Sequence, residues 1–381
     1  MSAGVLNQDE LRKVLFEAAD PAWEPCPLNP ADRPSPDGSA IDLPLGGRFW
    51  EMKASCRPTT SRSVRQLLLE NAIGESQPLT PATMLRTGKV YWIELACTKL
   101  VLPRNICARA TAKSTIGRLD AMVRLVADRE EEFDKISSSQ ARDVSLEVVP
   151  ISFNLKVSPG KSLSQLRLIR GDESICRVPA EAIKLEEDVL IDKNRNPAEI
   201  TLFPDDRFAV PLRLDLSLDP SVNARGFEAV PSTVPDFAIN PWVREVDPQP
   251  YWKPVESDGS AVTIKKDRFY IFRSLERFRI PSQYCVDCRA YSEGLGDIRI
   301  HYAGFAHPMF GRKDKDGRNV PNGAPLIFEV RGFSMDSMLR NGATLAKVYF
   351  LRMSTPTEFT DGKYSDQELK LSSAFKDWPA G

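Results

Sequence analysis

The stretch Glu147–Leu168 reads EVVPISFNLKVSPGKSLSQLRL, and Glu329–Phe350 reads EVRGFSMDSMLRNGATLAKVYF. Laid over one another at a constant offset, Glu147 meets Glu329, Val148 meets Val330, Ser152 meets Ser334, Gly160 meets Gly342 and Leu163 meets Leu345. Farther upstream, TKLVLP ending at Pro103 matches ERFRIP ending at Pro281, and IDLPL around Asp42 is echoed by LDLSL around Asp215. Self-similarity of this kind marks a duplicated structural unit. Within each copy, apolar and polar residues alternate over short runs, which is the period of strands.

At 381 residues the chain exceeds the usual size of one domain. The turn-rich PAEITLFPDDR predicts a boundary near 198–208, giving domains 1–200 and 201–381. Strands are predicted at KVYWIELACTKLVLP, SLEVVPISFNLKV and SLSQLRLI, then again at PLRLDLSLD, RFYIFRSLERFRIP, DIRIHYAGF, LIFEV and ATLAKVYFLRM. Thirty prolines and 21 glycines leave room for few long helices. The helical candidates are residues 8–19, residues 61–73 and, at the end of the second domain, SDQELKLSSAFKDW. The pattern is mainly β, two barrels or sandwiches of short strands with a few short helices.

A net charge of −1 gives no global attraction to nucleic acid or anionic membrane, so any anion site is local. The N-terminus lacks the apolar run of a secretory signal, and no window approaches a membrane-spanning length. A cytoplasmic protein is expected. Seven cysteines are too few for a disulfide scaffold in a chain of this size.

Such a local site is suggested by residues 108–123, ARATAKSTIGRLDAMV, which follow a strand. Lys113 and Arg118 can neutralise phosphate, Ser114 and Thr115 can donate hydroxyl hydrogens, and Gly117 lets a backbone approach. The bland alternative is a solvated basic turn. Glu147 and Glu329 each sit in apolar strands, where a carboxylate needs a partner and becomes available for proton transfer.

KSTIGR after a strand, then a Leu-Glu-Val strand and a Pro-Gly turn, resembles the bacterial 2'-deoxycytidine 5'-triphosphate deaminases and their relatives the deoxyuridine triphosphatases. The deaminases carry Arg-Ser-Ser-x-x-Arg where this chain has Lys113, Ser114, Thr115 and Arg118. Their glutamate matches Glu147 or Glu329, and a family aspartate has its nearest counterpart at His307 in HPMFG. The resemblance implies two tandem distorted β-barrel (jelly-roll) domains, a homo-oligomer with trimers favoured, and conversion of dCTP to dUTP and ammonia. Lys113, Ser114, Thr115 and Arg118 would hold the triphosphate, with Ser114 and Arg118 stabilising developing charge. Glu147 or Glu329 would transfer protons, while Ser292, Tyr302 and His307 would reach the nucleotide from the second copy. Magnesium would accompany the triphosphate, with no catalytic metal. A deoxyuridine triphosphate pyrophosphatase, a bifunctional enzyme and a non-catalytic nucleotide-binding protein are the alternatives. For a pyrophosphatase the activating carboxylate would be one of Asp120, Asp128 and Asp134.

Two other motifs compete. Cys285, Cys288, His301 and His307 have formal zinc-finger spacing, but GDIRIHYAGFAHP reads as strand and loop where a finger needs a helix. The His-x-Glu and Pro-Cys-x-x-Cys motifs of zinc-dependent base deaminases are absent. Ser334 with Lys370 would suit a self-cleaving serine-lysine site, yet Lys370 falls in the predicted terminal helix.

Overall fold

A computed structural model describes residues 2–18, 21–23, 33–137, 141–230, 237–290, 297–300, 304–314, 316–357 and 366–379. The chain divides into two compact units, Met1–Cys176 with Val234–Pro241, and Arg177–Thr233 with Trp242–Gly381. Each is dominated by a curled antiparallel sheet.

In unit 1 the sheet order is Ala121–Ala127, Ala141–Pro150, Val90–Val101, Ile41–Met52, Ser162–Arg170, Ile106–Ala112 and Lys135–Ile136. Ile106–Ala112 shows why these segments are strands: every second residue is buried, so one face lines the core. The sheet curls until Ala121–Ala127 packs against Ile106–Ala112 near its other end. Asp134 sews this seam. Its N–H donates to Leu125 O at 2.9 Å, and its carbonyl accepts from Ala110 N–H at 2.9 Å.

Unit 2 repeats the plan, with Trp252–Pro254, Phe227–Ala229, Phe269–Phe278, Ala209–Asp215, Thr344–Arg352, Tyr284–Ala290 and Phe305–Ala306 in order. Ala324–Gly332 also pairs with Phe269–Phe278. Its core gathers the buried Phe272, Phe278, Phe328 and Phe350. The duplication reaches individual hydrogen bonds. Gly160 N–H donates to Leu45 O and Gly342 N–H to Leu214 O, both at 2.8 Å. Tyr91 Oη accepts from Arg86 N–H and Tyr270 Oη from Lys265 N–H, both at 3.1 Å. The ion pair Lys89–Glu51 recurs as Arg268–Glu228.

Both turn glycines have left-handed backbones, φ +72° at Gly160 and +80° at Gly342. A Cβ meets nothing within 4 Å at either, so only the backbone conformation demands glycine. Gly160→Ala and Gly342→Ala are each expected to cost about 1–2 kcal/mol, read as a shift in denaturant midpoint.

Two sequence expectations change. Ile41 faces Leu166 while Val210 faces Val348, so IDLPL corresponds to VPLRL and Asp42 to Pro211. Asp215 instead pairs with Arg273 at 2.8 Å. The predicted terminal helix is absent: residues 366–379 form turns held by side chains, Glu368 pairing with Arg277 and Gln367 donating to Pro325 O. The N-terminal helices form as Gln8–Arg12, continued by a wider turn over Lys13–Glu17, and Val64–Asn71.

Candidate active site

KSTIGR forms one helical turn, Ser114–Gly117, directly after the Ile106–Ala112 strand. Lys113 starts it and donates to Asp42 Oδ2 at 2.5 Å; both side chains are half-exposed, so the pair is worth at most about 1 kcal/mol and is readily exchanged. Ser114 is half-buried, whereas Thr115 and Arg118 are buried, Arg118 to 3% exposure. Lys113 and Ser114 are therefore the accessible members of the motif.

Glu147 lies at 0% exposure on Ala141–Pro150, directly opposite Trp92 on one side and Arg124 on the other. Its Oε1 accepts from Ser55 Oγ at 3.0 Å and from Arg124 Nη2. Its Oε2 accepts from Cys56 N–H at 2.9 Å and from Trp92 Nε1 at 3.3 Å. Arg124 also donates to Ser55 Oγ at 2.7 Å, and its guanidinium sits 3.9 Å from the Phe133 ring centroid. Four donors thus offset the cost of burying the charge. Burial, then the Glu147 carboxylate, pushes the neighbouring Cys56 thiol up.

Asp134, next to Phe133, has φ +63° and accepts Leu125 N–H at Oδ1, 2.7 Å away. Burial pushes its carboxyl up to about 7, against that hydrogen bond and the nearby Arg124, Arg109 and Arg167. Because its ordinary value is 3.8, this group's stabilising contribution is full in acid and is lost as pH rises through about 7. Asp134→Asn is therefore expected to stabilise the protein at pH 8, by roughly 4 kcal/mol at most, and not at pH 4. Denaturation midpoints measured across that range check the sign.

The strand Ala121–Ala127 links these groups: the KSTIGR turn packs on it, and its Arg124 holds Glu147. Asp120 and Asp128 are occupied structurally. Asp120 accepts from Ser152 Oγ at 2.5 Å, and Asp128 accepts Val64 N–H at 2.5 Å at the start of the Val64–Asn71 helix.

Unit 2 is not chemically equivalent. Glu329, 3% exposed, takes the place of Glu147 but faces Ile271 where Glu147 faces Trp92. Ala290 takes the place of Ala112, and the following residues, including Ser292, lie outside the described residues, as does Tyr302. Pairing of Lys135–Ile136 and Phe305–Ala306 sets Gly304 at the place of Asp134 and His307 at that of Ser137. A Cβ on Gly304 would lie 2.3 Å from Cys288 O, so no carboxylate fits there. His307 packs edge-on against Phe305, with centroids 4.9 Å apart.

Of the four residues with zinc-finger spacing, His301 lies outside the described residues. Cys285 and Cys288 lie on one strand three residues apart, hence on opposite faces. Burial pushes the Cys288 thiol up to about 12, with Asp287 and Glu329 adding to the effect. No group of three or more metal-ligating side chains occurs among the described residues. Ser334 is exposed, and its N–H donates to Asp297 Oδ2 at 2.6 Å.

Residues 3–172 match the family model of the 2'-deoxycytidine 5'-triphosphate deaminase N-terminal domain, and residues 184–375 that of its C-terminal domain. The chain belongs to the 2'-deoxycytidine 5'-triphosphate deaminase family. The crystal structure of 2'-deoxycytidine 5'-triphosphate deaminase from Agrobacterium tumefaciens is 25% identical, covering 94% of this chain and 100% of that one, with a TM-score of 0.75. A mutant of Bacteroides uniformis β-glucuronidase 2, at 8% identity, covers 83% of this chain and 28% of that one, but its TM-score of 0.15 carries no argument. No curated protein matches significantly. The deaminase fold, mainly β with barrel-like sheets and few short helices, is the one the resemblance implied, and the activity is deamination of dCTP.

The sequence pattern singled out Glu147 and the KSTIGR turn; the structure adds Ser55, Cys56, Trp92 and Arg124 as the donors around Glu147. Of these only Arg124, a cation among the apolar residues of AMVRLVA, carried a sequence signal. Ser55 and Cys56 are brought in by a loop distant in sequence.

Proposed function

We propose that unit 1 alone carries the deamination site. The observation behind this is the seam position: unit 1 has Asp134 there, beside the cation that holds Glu147, and unit 2 has a glycine without room for a side chain. Lys113 and Ser114 would take the triphosphate of magnesium-bound dCTP, Lys113 exchanging Asp42 for phosphate. Thr115 and Arg118 would shape the turn from below, Arg118 adding positive potential.

Among the four donors to Glu147, the Ser55 hydroxyl turns most freely. Its rotation would free a lone pair on Oε1, letting Glu147 take a proton from water and pass it to N3 of cytosine. Attack of the resulting hydroxide at C4 gives a tetrahedral centre, and Glu147 would then move the proton of the new C4 hydroxyl to the amino group, so that the C4–N bond breaks, ammonia leaves and the C4 carbonyl of dUTP forms. Burial raises the Asp134 carboxyl to about 7, which suits a proton-donating role beside Arg124.

Pyrophosphate release would need an aspartate free to activate water near the α-phosphate. Asp120, Asp128 and Asp134 each accept a hydrogen bond within unit 1, which supports a deaminase without that step. A cytoplasmic homo-oligomer, with trimers favoured, is part of this reading; no helix among the described residues is long and apolar enough to cross a membrane.

The test is incubation with dCTP and magnesium, with ammonia and pyrophosphate measured separately. Equimolar dUTP and ammonia are expected. Pyrophosphate accumulating with ammonia would replace the simple deaminase with a bifunctional enzyme.

A further inference from the structure

The strand Ser337–Arg340 pairs with Ala261–Ile264 on one side and with no other strand among the described residues. Such an edge invites another strand through its outward N–H and C=O groups, of which the Arg340 carbonyl also accepts Ala343 N–H at 3.0 Å. The corresponding edge of unit 1 is covered. There Leu155 pairs in parallel with Ile239, Lys156 N–H donates to Ile239 O at 2.9 Å, and Ile239 N–H donates to Asn154 O at 2.9 Å.

The two edges are the same place in the repeat. Asn154 Oδ1 accepts Thr87 N–H at 2.9 Å, and Asp336 Oδ1 accepts Lys266 N–H at 2.8 Å. The geometry that takes an added strand in unit 1 is therefore present in unit 2. What differs is the side-chain dress. Met335 and Met338 are 62% and 68% exposed, and Asp336 and Arg340 are exposed on either side of Met338.

We propose that this edge pairs with the same edge of a second copy of the chain, antiparallel about a two-fold axis at Met338. The sequence DSMLR is self-complementary in that arrangement. Met338 faces Met338, and the Asp336 of each copy faces the Arg340 of the other, so each end gains an opposite-charge pair and the centre buries two methionines. An isologous contact of this kind closes on itself, consistent with two-fold symmetry. It is independent of the deamination chemistry and adds to any other oligomer contact, doubling the mass.

The experiment is light scattering coupled to size exclusion on the full chain. Wild type is expected at twice the mass of Arg340→Glu, which sets two carboxylates against each other, while Arg340→Lys keeps the wild-type mass. Thermal denaturation of each variant separates loss of the contact from loss of the fold. Met338→Cys is expected to give a covalent dimer on a non-reducing gel under mild oxidation, absent in wild type. Equal masses for wild type and a folded Arg340→Glu, or failure of Met338→Cys to cross-link above wild type, would overturn the proposal. Cross-linking only to a different protein would also overturn it, by showing that the edge serves another strand.

Discussion

Glu147→Gln is expected to lower ammonia release from dCTP by about 10²–10⁴-fold, and Glu329→Gln to leave it unchanged. The two glutamates occupy the same place in the repeat, so their difference must come from surroundings. Glu147 has Arg124, Trp92, Ser55 and Cys56 around it; Glu329 has an isoleucine where Trp92 stands. Glutamine can keep its oxygen on Cys56 N–H and Trp92 Nε1 and turn its amide toward Ser55 Oγ, but that amide cannot accept from Arg124, so the variant loses the ability to carry a proton and some of the stability of unit 1. Steady-state ammonia assays on both variants, with folding checked by circular dichroism, decide the matter. Equal losses would mean that both units contribute to catalysis, and a loss confined to Glu329→Gln would move the site to unit 2.

Arg124→Met is expected to destabilise unit 1 by about 3–5 kcal/mol. The guanidinium is 15% exposed and its partner Glu147 not at all, so removing it leaves a buried carboxylate with three neutral donors. Neutral donors do not replace a charge. The Arg124→Met/Glu147→Gln double variant removes both charges and is expected to recover much of the loss. A double-mutant cycle on denaturation midpoints measures the coupling, and purely additive losses would show that the pair contributes nothing as a pair.

Much of this architecture was legible because repetition is a property of sequence order alone. The offset joining Glu147 to Glu329 and Gly160 to Gly342 is kept in the structure down to the turn hydrogen bonds. The strand pattern of segments such as KVYWIELACTKLVLP, which holds the strand Val90–Val101, was legible for the same reason: period and pleat are local. Local resemblance failed where it had no register to anchor it. LDLSL resembles IDLPL more closely than VPLRL does, yet the bulges between Ser162 and Ser164 and between Leu212 and Arg213 fix the correspondence elsewhere. The polar-apolar mix of SDQELKLSSAFKDW satisfied a helical pattern, but the backbone N–H groups of Leu369 and Lys376 donate to Asp219 Oδ2 and Val246 O, partners distant in sequence, in place of a helical ladder.

The sequence by itself determined that the chain is a β-rich duplication, that a basic, hydroxyl-bearing turn follows one strand, and that a glutamate recurs in each copy. Those features depend on residue type and spacing. Tertiary structure alone decided that Glu147 sits among four donors, that Asp134 closes the unit 1 barrel with a raised carboxyl pKa, and that Gly304 cannot copy it. Each of those depends on segments far apart in the chain being brought within hydrogen-bond reach, and burial and electric field are set by that meeting rather than by any residue's neighbours in sequence.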